Sequence, residues 1–291
     1  MADTTFSEER SAQVVAASFD SAEDDRLRRV MTSLVEHLHA FIKDVELTDA
    51  EWARAIEFLT ATGQLCDEVR QEFVLLSDVL GVSMLVETMN HRSDGTATES
   101  TVLGPFHLVE SPPRPLGADI ALHGTGEPCI VTGTVRGPGG EPLAGASVDV
   151  WQASEEGFYD VQQPGVQPDG NLRGLFTTDA AGRFWFGSIV PTHYAIPQDG
   201  PVGALLRAAG RSPYRPAHIH FIVGKPGHLP VTTHVFIAGT PYLDSDAVFG
   251  VKDSLVRDFT VVDDAAAAAT YGLPNPFRRM QFDVTLAVTP S

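Results

Sequence analysis

The spacing of apolar residues along the chain changes near residue 105. Before that point, apolar residues recur every three or four positions, the period of a helix with one buried face. The longest stripe runs from Leu27 to Val45, and Thr48 with Glu51 forms a capping box that begins a second helix. A further stripe from Val69 to Met84 predicts a third helix. A polar stretch at residues 91–101 is then typical of a linker.

Beyond residue 105, short runs of β-forming residues alternate with glycine- and proline-rich turns. The pattern predicts strands at Cys129–Val135, Ser147–Trp151, Phe176–Thr178, Arg183–Phe186, His218–Val223, Thr232–Ala238 and Gln281–Val288. Many short strands joined by tight turns are typical of a β-sandwich. The sequence therefore predicts a mainly β protein with two domains: a helical domain at 1–100 and a two-layer β-sandwich at 101–291.

Charge and composition narrow the class of function. The 291 residues include 20 Lys and Arg against 38 Asp and Glu, a net charge of −18, which disfavours nucleic-acid binding and docking on anionic membranes. No apolar run approaches the roughly 20 residues of a membrane helix, and the start MADTTFSEER lacks the features of a signal peptide. The only two cysteines, Cys66 and Cys129, rule out a disulfide scaffold. These features predict a cytoplasmic protein.

The segment from Arg215 to His220 carries the sharpest chemical signal. Side chains alternate along a strand, so His218 and His220 share one face and can converge on a metal ion. No acidic residue lies between His220 and Asp244, so the local pattern of a two-histidine, one-carboxylate iron site is missing. A third histidine, His228 or His234, would instead give a zinc hydratase or hydrolase. If the histidines are only structural, the chain is a β-sandwich binding module.

Tyrosine offers a further set of metal ligands. Tyr159 and Tyr194 each lie near the end of a predicted strand, where the loops of sandwich proteins build functional sites. A phenolate is a hard anionic donor that suits ferric iron, as in the tyrosine-ligated haem of catalase. Two phenolates and two imidazoles together would favour Fe(III) over Fe(II) or zinc.

An ordered set of motifs resembles the intradiol ring-cleaving dioxygenases over nearly the whole chain. The motifs are TVLGPF at 101–106, GTVR at 133–136, GASVDVW at 145–151, EGFY at 156–159, LRG around Arg173, the stretch Pro191–Pro197, and RPAHIH at 215–220. The helical first third resembles the N-terminal dimerisation domain of that family.

This resemblance implies an active site and a reaction. The iron ligands would be Tyr159, Tyr194, His218 and His220, holding one Fe(III) per chain. Arg215 would face the substrate, and Tyr194 would be the displaceable ligand that takes a substrate proton. The implied reaction splits an aromatic diol between its two hydroxyl-bearing carbons and adds both atoms of O2. The resemblance also implies a homodimer formed through the N-terminal helices, with an apolar channel for a lipid-like molecule.

Three features of the sequence indicate the substrate. His234 occupies a position where catechol-cleaving members usually carry Gln, and the segments 75–84 and 242–255 resemble the hydroxyquinol-cleaving branch. The expected substrate is hydroxyquinol (benzene-1,2,4-triol), opened to 3-hydroxy-cis,cis-muconate and maleylacetate; catechol and chlorocatechol are the alternatives. A buried Asp78 carboxylate would need a polar partner, which a third substrate hydroxyl could supply. By resemblance, the substrate pocket is lined by Leu75, Asp78, Val102, Leu103, Gly104, Pro105, Phe106, Ile196, Pro197, Arg215, His234 and Val251.

Overall fold

The computed structural model describes residues 5–68, 70–91, 95–107 and 111–289, and its internal contacts divide the chain into two compact units, Met1–Ala61 and Thr62–Ser291. The first unit holds α1 (Ser11–Ala17), α2 (Asp25–Asp44) and most of α3 (Asp49–Gln64). Both longer helices begin at a side-chain cap. The Asp24 carboxylate accepts hydrogen bonds from two backbone amides of α2, and the predicted capping box at Thr48 and Glu51 is present.

The predicted third helix is two helices in the structure. They are α4 (Glu72–Val79) and α5 (Val82–Asn90), while Val69 lies outside the described residues. The break falls at Gly81, whose φ of +72° lies in the left-handed region that ends a right-handed helix and favours glycine. Both helices belong to the second unit, so the contacts divide the chain earlier than the predicted domain boundary at residue 100.

The second unit also contains the strands and two further helices. They are β1 (Pro128–Arg136), β2 (Ser147–Trp151), β3 (Arg173–Thr177), β4 (Arg183–Ile189), β5 (Tyr194–Ala195), α6 (Pro201–Ala208), β6 (Tyr214–Arg215), β7 (His218–Gly224), β8 (Val231–Ile237), β9 (Val256–Arg257), β10 (Thr260–Val262), α7 (Ala265–Tyr271), β11 (Phe277–Gln281) and β12 (Val284–Thr285). No helix in the described part of the chain combines the length and the apolar character needed to cross a bilayer.

The strands form two five-stranded sheets and a small ribbon. In the first sheet, β1 pairs with β4 on one side and with β11 and β12 on the other, and β10 extends β11. The second sheet has the order β3-β2-β7-β8-β9, and β5 pairs with β6 in the ribbon. The single strand predicted at Gln281–Val288 is interrupted because the Asp283 carboxylate, rather than a backbone carbonyl, accepts the Thr134 amide.

The two sheets pack face to face around one apolar core. Phe221 of β7 lies with its ring centroid 6.2 Å from Phe184 and 6.4 Å from Phe186, both on β4, and 5.2 Å from Phe282. Valines and isoleucines from both sheets complete the cluster. The predicted mainly β fold with a two-layer sandwich is therefore confirmed.

Strand β7 lies at the centre of the second sheet and separates its two faces. Ile219, Phe221 and Val223 point into the sandwich, whereas His218 and His220 point to the opposite face. All five residues are buried. The outer face of this sheet is therefore covered by protein at His218 and His220, whereas Ser147 and Thr177, farther along the same face, are exposed.

Candidate active site

A row of four polar and aromatic residues crosses the outer face of the second sheet. Strand register places Arg173 of β3 beside Trp151 of β2, Trp151 beside His220 of β7, and His220 beside His234 of β8. The Trp151 indole stacks on the His220 imidazole at 4.6 Å between centroids and 13° between planes. His218 lies two residues before His220 on the same face, so β7 supplies two imidazoles to one place.

The two predicted tyrosine ligands reach the same place from outside the sheet. Tyr159 precedes a short turn after β2, and Tyr194 begins β5, where it pairs with Arg215 of β6. The Tyr159 hydroxyl lies 2.9 Å from His220 Nε2 and donates to the Tyr194 hydroxyl at 3.2 Å. His218 Nε2 lies 3.2 Å from His220 Nε2. The four donor atoms that the sequence analysis selected therefore converge.

The electrostatics of these four side chains suit a metal cation. Burial, followed by the Arg215 charge, lowers the pKa of His218 well below its ordinary value, and burial with the neighbouring imidazoles does the same for His220. Both imidazoles are thus neutral, the form that binds a metal. Burial and the neighbouring Tyr194 raise the pKa of Tyr159, so its phenolate needs a cation beside it. The donor set fits a hard, highly charged ion such as Fe(III).

His234 is the third histidine of this cluster. A nitrogen atom of each of His218, His220 and His234 lies within 4.8 Å of the others, which is the arrangement of the alternative zinc site. His234 Nδ1 is hydrogen bonded to the Thr101 hydroxyl, and its Nε2 lies 3.5 Å from an Arg215 guanidinium nitrogen. The set with two tyrosines adds two oxygen donors that suit Fe(III), which the set of three histidines lacks. His228, the other histidine considered, does not join this cluster.

Arg215 is buried at the edge of the metal-ligand cluster. Its Nη1 lies 3.2 Å from His218 Nε2, and its Nε donates to the Asp246 carboxylate at 3.1 Å. Both side chains of this ion pair are almost fully enclosed. The sequence analysis did not select Asp246. A buried arginine needs a carboxylate partner. Nothing in the sequence near Arg215 indicates that Asp246, 31 residues further along, is that partner.

The segment Thr101–His107 lies over the same row of residues. Thr101 contacts His234, Phe106 stacks on Tyr159 at 4.8 Å, and the His107 ring lies 4.6 Å from that of Trp151. At Gly104, an added Cβ would lie 3.0 Å from Cε1 of His220, and φ is +79°. Only glycine fits there without strain or displacement of the imidazole.

Four of the twelve residues predicted to line the substrate pocket contact metal-ligand candidates directly: Gly104, Phe106, Arg215 and His234. The others differ in exposure: Leu75, Asp78, Val102 and Ile196 are buried, Pro197 and Val251 are half-buried, and Leu103 and Pro105 are exposed. Burial raises the pKa of Asp78 although the carboxylate already has a hydrogen-bond partner in the Ser83 side chain, and both Arg215 and Asp246 are close enough to influence it. That the residues predicted to line the pocket contact a substrate stays a prediction.

Besides Asp246, three residues around the ligands were not selected as site residues. Thr101 orients His234, Trp151 stacks on His220, and Arg173 forms a buried ion pair at 2.7 Å with Asp160, which directly follows Tyr159. All three lie within motifs used for the resemblance, so those motifs were the available signal. Their cross-strand neighbours depend on register, which short sequence patterns do not reveal.

Comparison with known proteins decides the family. Residues 117–288 match the Dioxygenase family and residues 24–98 match Catechol dioxygenase N terminus. The chain belongs to the intradiol ring-cleavage dioxygenases. It is 53% identical over 98% of its length to hydroxyquinol 1,2-dioxygenase of Rhizobium sp. (strain MTP-10005), covering 97% of that protein. It is 37% identical to catechol 1,2-dioxygenase of Candida albicans, covering 91% of this chain and 88% of that one.

Solved structures of intradiol dioxygenases share the fold. Hydroxyquinol 1,2-dioxygenase from Pseudomonas putida DLL-E4 superposes with a TM-score of 0.91 at 46% identity, over 97% of this chain and 99% of that one. Catechol 1,2-dioxygenase from Acinetobacter sp. ADP1 superposes with a TM-score of 0.85 at 27% identity, over 100% and 95%. The chain is an intradiol dioxygenase, a family that uses non-haem iron, and the alternatives of a zinc hydrolase and a binding module are superseded.

Proposed function

We propose that this intradiol dioxygenase cleaves hydroxyquinol with O2, between the carbons that carry hydroxyls 1 and 2, to 3-hydroxy-cis,cis-muconate, which tautomerises to maleylacetate. The observation that carries this proposal is the convergence of two tyrosine hydroxyls and two neutral imidazoles beside a buried arginine. The substrate is supported by the relatives named hydroxyquinol 1,2-dioxygenase, at 44–53% identity, against 37% for the relative named catechol 1,2-dioxygenase.

We propose one Fe(III) per chain, held by Tyr159, Tyr194, His218 and His220. When bound, ferric iron supplies Lewis acidity toward the two substrate oxygens and the redox chemistry that O2 requires. The chain's part is to hold the ion. His218 is fixed for this by its Nδ1, which lies 2.7 Å from the carbonyl oxygen of Pro216 and so leaves Nε2 as the ligand atom.

Tyr194 and Arg215 carry the roles closest to the substrate. Tyr194 lies on a two-residue strand paired only with β6, and its side chain is 8% exposed against 1% for Tyr159. It is therefore the tyrosine better able to move aside and take a proton from a substrate hydroxyl. The Arg215 guanidinium, with Nη1 toward the cluster, provides fixed positive charge where negative charge develops in the transition state.

Asp78 is the residue that would distinguish hydroxyquinol from catechol. It lies on α4, is 4% exposed, and has a raised pKa because of burial. Leaving a buried carboxyl without a hydrogen-bond partner costs desolvation free energy. A site that hydrogen bonds a third substrate hydroxyl therefore discriminates against a diol that lacks this hydroxyl. The direct test compares kcat/KM for hydroxyquinol and catechol and identifies the product. A higher value for catechol would reject hydroxyquinol as the preferred substrate.

The metal is tested by colour and iron content. Phenolate-to-Fe(III) charge transfer should give the purified protein a red to purple visible band. Tyr159→Phe should bleach that band and lower the iron content. Tyr271→Phe, which alters a tyrosine packed against Phe277, is the matched control and should leave both unchanged. Full colour and full iron in Tyr159→Phe would remove Tyr159 from the ligand set.

We further propose a homodimer formed through the N-terminal helices, with an apolar channel that binds a lipid-like molecule. The support is an exposed apolar stripe on α2: Leu27 is 52% exposed, Leu34 53%, Leu38 49% and Phe41 55%. Monomers rarely leave so much contiguous apolar surface in water. A dimer should bury more than roughly 1,000 Å² in total. Sedimentation should find a dimer at micromolar concentration, and native mass spectrometry should find the bound lipid; a monomer would reject the proposal.

The location that we propose is the cytoplasm. Cys66 and Cys129 are both free thiols, as expected in a reducing compartment. Fractionation of cells that express the protein at its natural level tests this.

A further inference from the structure

The Asp246 carboxylate binds one edge of the Arg215 guanidinium. Its Nε donates to Asp246 Oδ1 at 3.1 Å and its Nη2 donates to Oδ2 at 3.4 Å, the two-point geometry that fixes a guanidinium in plane. The two side chains are 3% and 2% exposed. Because both are shielded from water, this pairing sets the orientation of the arginine far more firmly than a surface ion pair would.

The opposite side of the guanidinium faces the metal-ligand cluster. Nη1 is the nitrogen that Asp246 does not hold, and it lies 3.2 Å from His218 Nε2 and 3.5 Å from His234 Nε2. The carboxylate on one side therefore directs the remaining nitrogen toward the metal-ligand cluster.

Asp246 is itself fixed by the backbone that follows it. The Gly250 amide donates to Oδ2 at 2.9 Å, and the Val248 amide donates to Oδ1 at 3.3 Å. The carboxylate is thus held by a turn of its own segment, and it transmits the position of that turn to Arg215. The same turn leads directly into Val251, one of the residues predicted to line the substrate pocket.

Gly250 leaves the space that this arrangement needs. An added Cβ would lie 3.1 Å from Arg215 Nη2 and 3.1 Å from Asp246 Oδ2. The φ of Gly250 lies outside the left-handed region, so its backbone accepts alanine without strain. Alanine at this position would therefore press on the ion pair while leaving both charges in place.

We propose that Asp246 is the positioning residue of the active-site arginine: it holds Nε and Nη2 so that Nη1 points at the substrate, and Gly250 keeps the ion pair free of steric contact. This inference rests on the proposed function, because the orientation of Arg215 affects activity only through the charge that it presents to the reacting substrate. Fixed charge of this kind acts on the transition state more than on substrate binding.

The test is Asp246→Asn compared with Asp244→Asn. Asparagine retains one acceptor oxygen but sets an NH2 group against the donors of Gly250 and Arg215, so the guanidinium should turn away. We expect kcat on hydroxyquinol to fall about 100-fold with KM changed less than about threefold, and with iron content and visible band as in the wild type. Asp244 is exposed on the same segment, and its variant should behave as the wild type.

Gly250→Ala is the second variant and keeps every charge. It should lower kcat about 10-fold with the visible band intact, because a shift of a few tenths of an ångström misplaces Nη1. If Asp246→Asn fails to fold, Gly250→Ala alone tests the proposal, and a wild-type kcat in Gly250→Ala then overturns it. An Asp246→Asn protein that keeps wild-type kcat, loses its iron, or changes only KM also overturns it.

Crystal structures of the wild type and Asp246→Asn separate this inference from the proposed function. If the wild type does not cleave hydroxyquinol, the proposed function fails. Movement of the Arg215 guanidinium in Asp246→Asn would still support the positioning role, whereas an unmoved guanidinium would overturn it.

Discussion

Around the metal-ligand cluster, both faces of the sheet β3-β2-β7-β8-β9 are buried, but for different reasons. On β7, Phe221 is 0% exposed and points into the sandwich, while its neighbour His220 is 2% exposed and points at the metal-ligand cluster. The inner face meets the phenylalanines of the first sheet. The outer face meets hydroxyls, imidazoles and a guanidinium. Alternate residues of this one strand thus contribute to the stability of the fold and to the candidate active site.

The energetics of the two faces differ accordingly. Burying apolar side chains on the inner face stabilises the fold by about 25 cal/mol per Å² of surface removed from water. Burying the polar row on the outer face costs desolvation free energy, which hydrogen bonds and ion pairs only offset. The outer face is therefore expected to be dispensable for folding and indispensable for activity, and the inner face the reverse. Substitutions of neighbouring residues on the two faces test this difference.

The largest effect is expected for His220→Ala on the outer face. Loss of a metal ligand should lower kcat/KM at least about 1,000-fold, equivalent to about 4 kcal/mol of transition-state stabilisation. The free energy of unfolding of the iron-free protein should change by less than about 1 kcal/mol, because a buried polar group is removed. Steady-state assays and denaturant unfolding measure the two quantities. Unfolding of the iron-free variant at much lower denaturant would make His220 part of the structural core.

Phe221→Ala, one residue further, should give the opposite result. Removing a fully buried phenylalanine leaves a cavity among Phe184, Phe186 and Phe282 and should cost about 3–5 kcal/mol of stability. The fraction that remains folded should keep the visible band and its turnover per iron. Phe221→Leu is the milder control and should cost less. Normal stability with lost activity would show that the two faces are not separable.

The alternation on β7 is also the part of the site that could be predicted from the sequence. His-X-His and the apolar residues between and after the two histidines specify both faces of one strand without knowledge of its neighbours. The ligands Tyr159 and Tyr194 lie on other segments; their positions near strand ends made them candidates, and the family resemblance selected them. The long-range partners of the selected residues were missed: Asp246 lies 31 positions from Arg215, and Thr101 lies 133 positions from His234. Such pairs depend on register and loop path, which local periodicity does not encode.

Helix boundaries show the same limit. Apolar spacing alone continues through Gly81, so the stripe predicts one helix where the chain forms α4 and α5. Only the left-handed backbone at Gly81, which packs near Phe249, ends the first helix there. The glycine is a local signal of a helix end, which the spacing of apolar residues alone does not take into account.

A smaller effect is expected at Asp78, which tests whether the enclosed polar surface also sets substrate preference. Asp78→Ala should lower the ratio of kcat/KM for hydroxyquinol over catechol by about 5- to 150-fold, the equivalent of roughly 1–3 kcal/mol for one lost hydrogen bond. The visible band should stay intact because Asp78 is not among the ligands. Asp78→Asn, which keeps a polar group of the same size, should lower the ratio less. An unchanged ratio in both variants would remove Asp78 from substrate recognition.

The smallest effect concerns pH and should appear on the outer face alone. Burial is the main cause that holds the pKa values of His218, His220 and His234 well below their usual range in the folded chain. In the unfolded chain these groups take up protons below their ordinary pKa of about 6.5. The unfolded state then binds more protons than the folded state, so stability is complete above about pH 6.5 and falls as the pH is lowered.

His234→Gln isolates the share of one histidine in this loss. Each buried neutral histidine contributes about 1.4 kcal/mol per pH unit below 6.5, so the variant of the iron-free protein should lose stability less steeply by about that amount. Denaturant unfolding at several pH values between 7.5 and 5.5 measures the slope. Val235→Ala alters the adjacent residue on the inner face and should lower stability equally at every pH, because it carries no proton. Equal slopes in the wild type and His234→Gln would mean that His234 is charged in the folded chain, which its contact with the Arg215 guanidinium opposes.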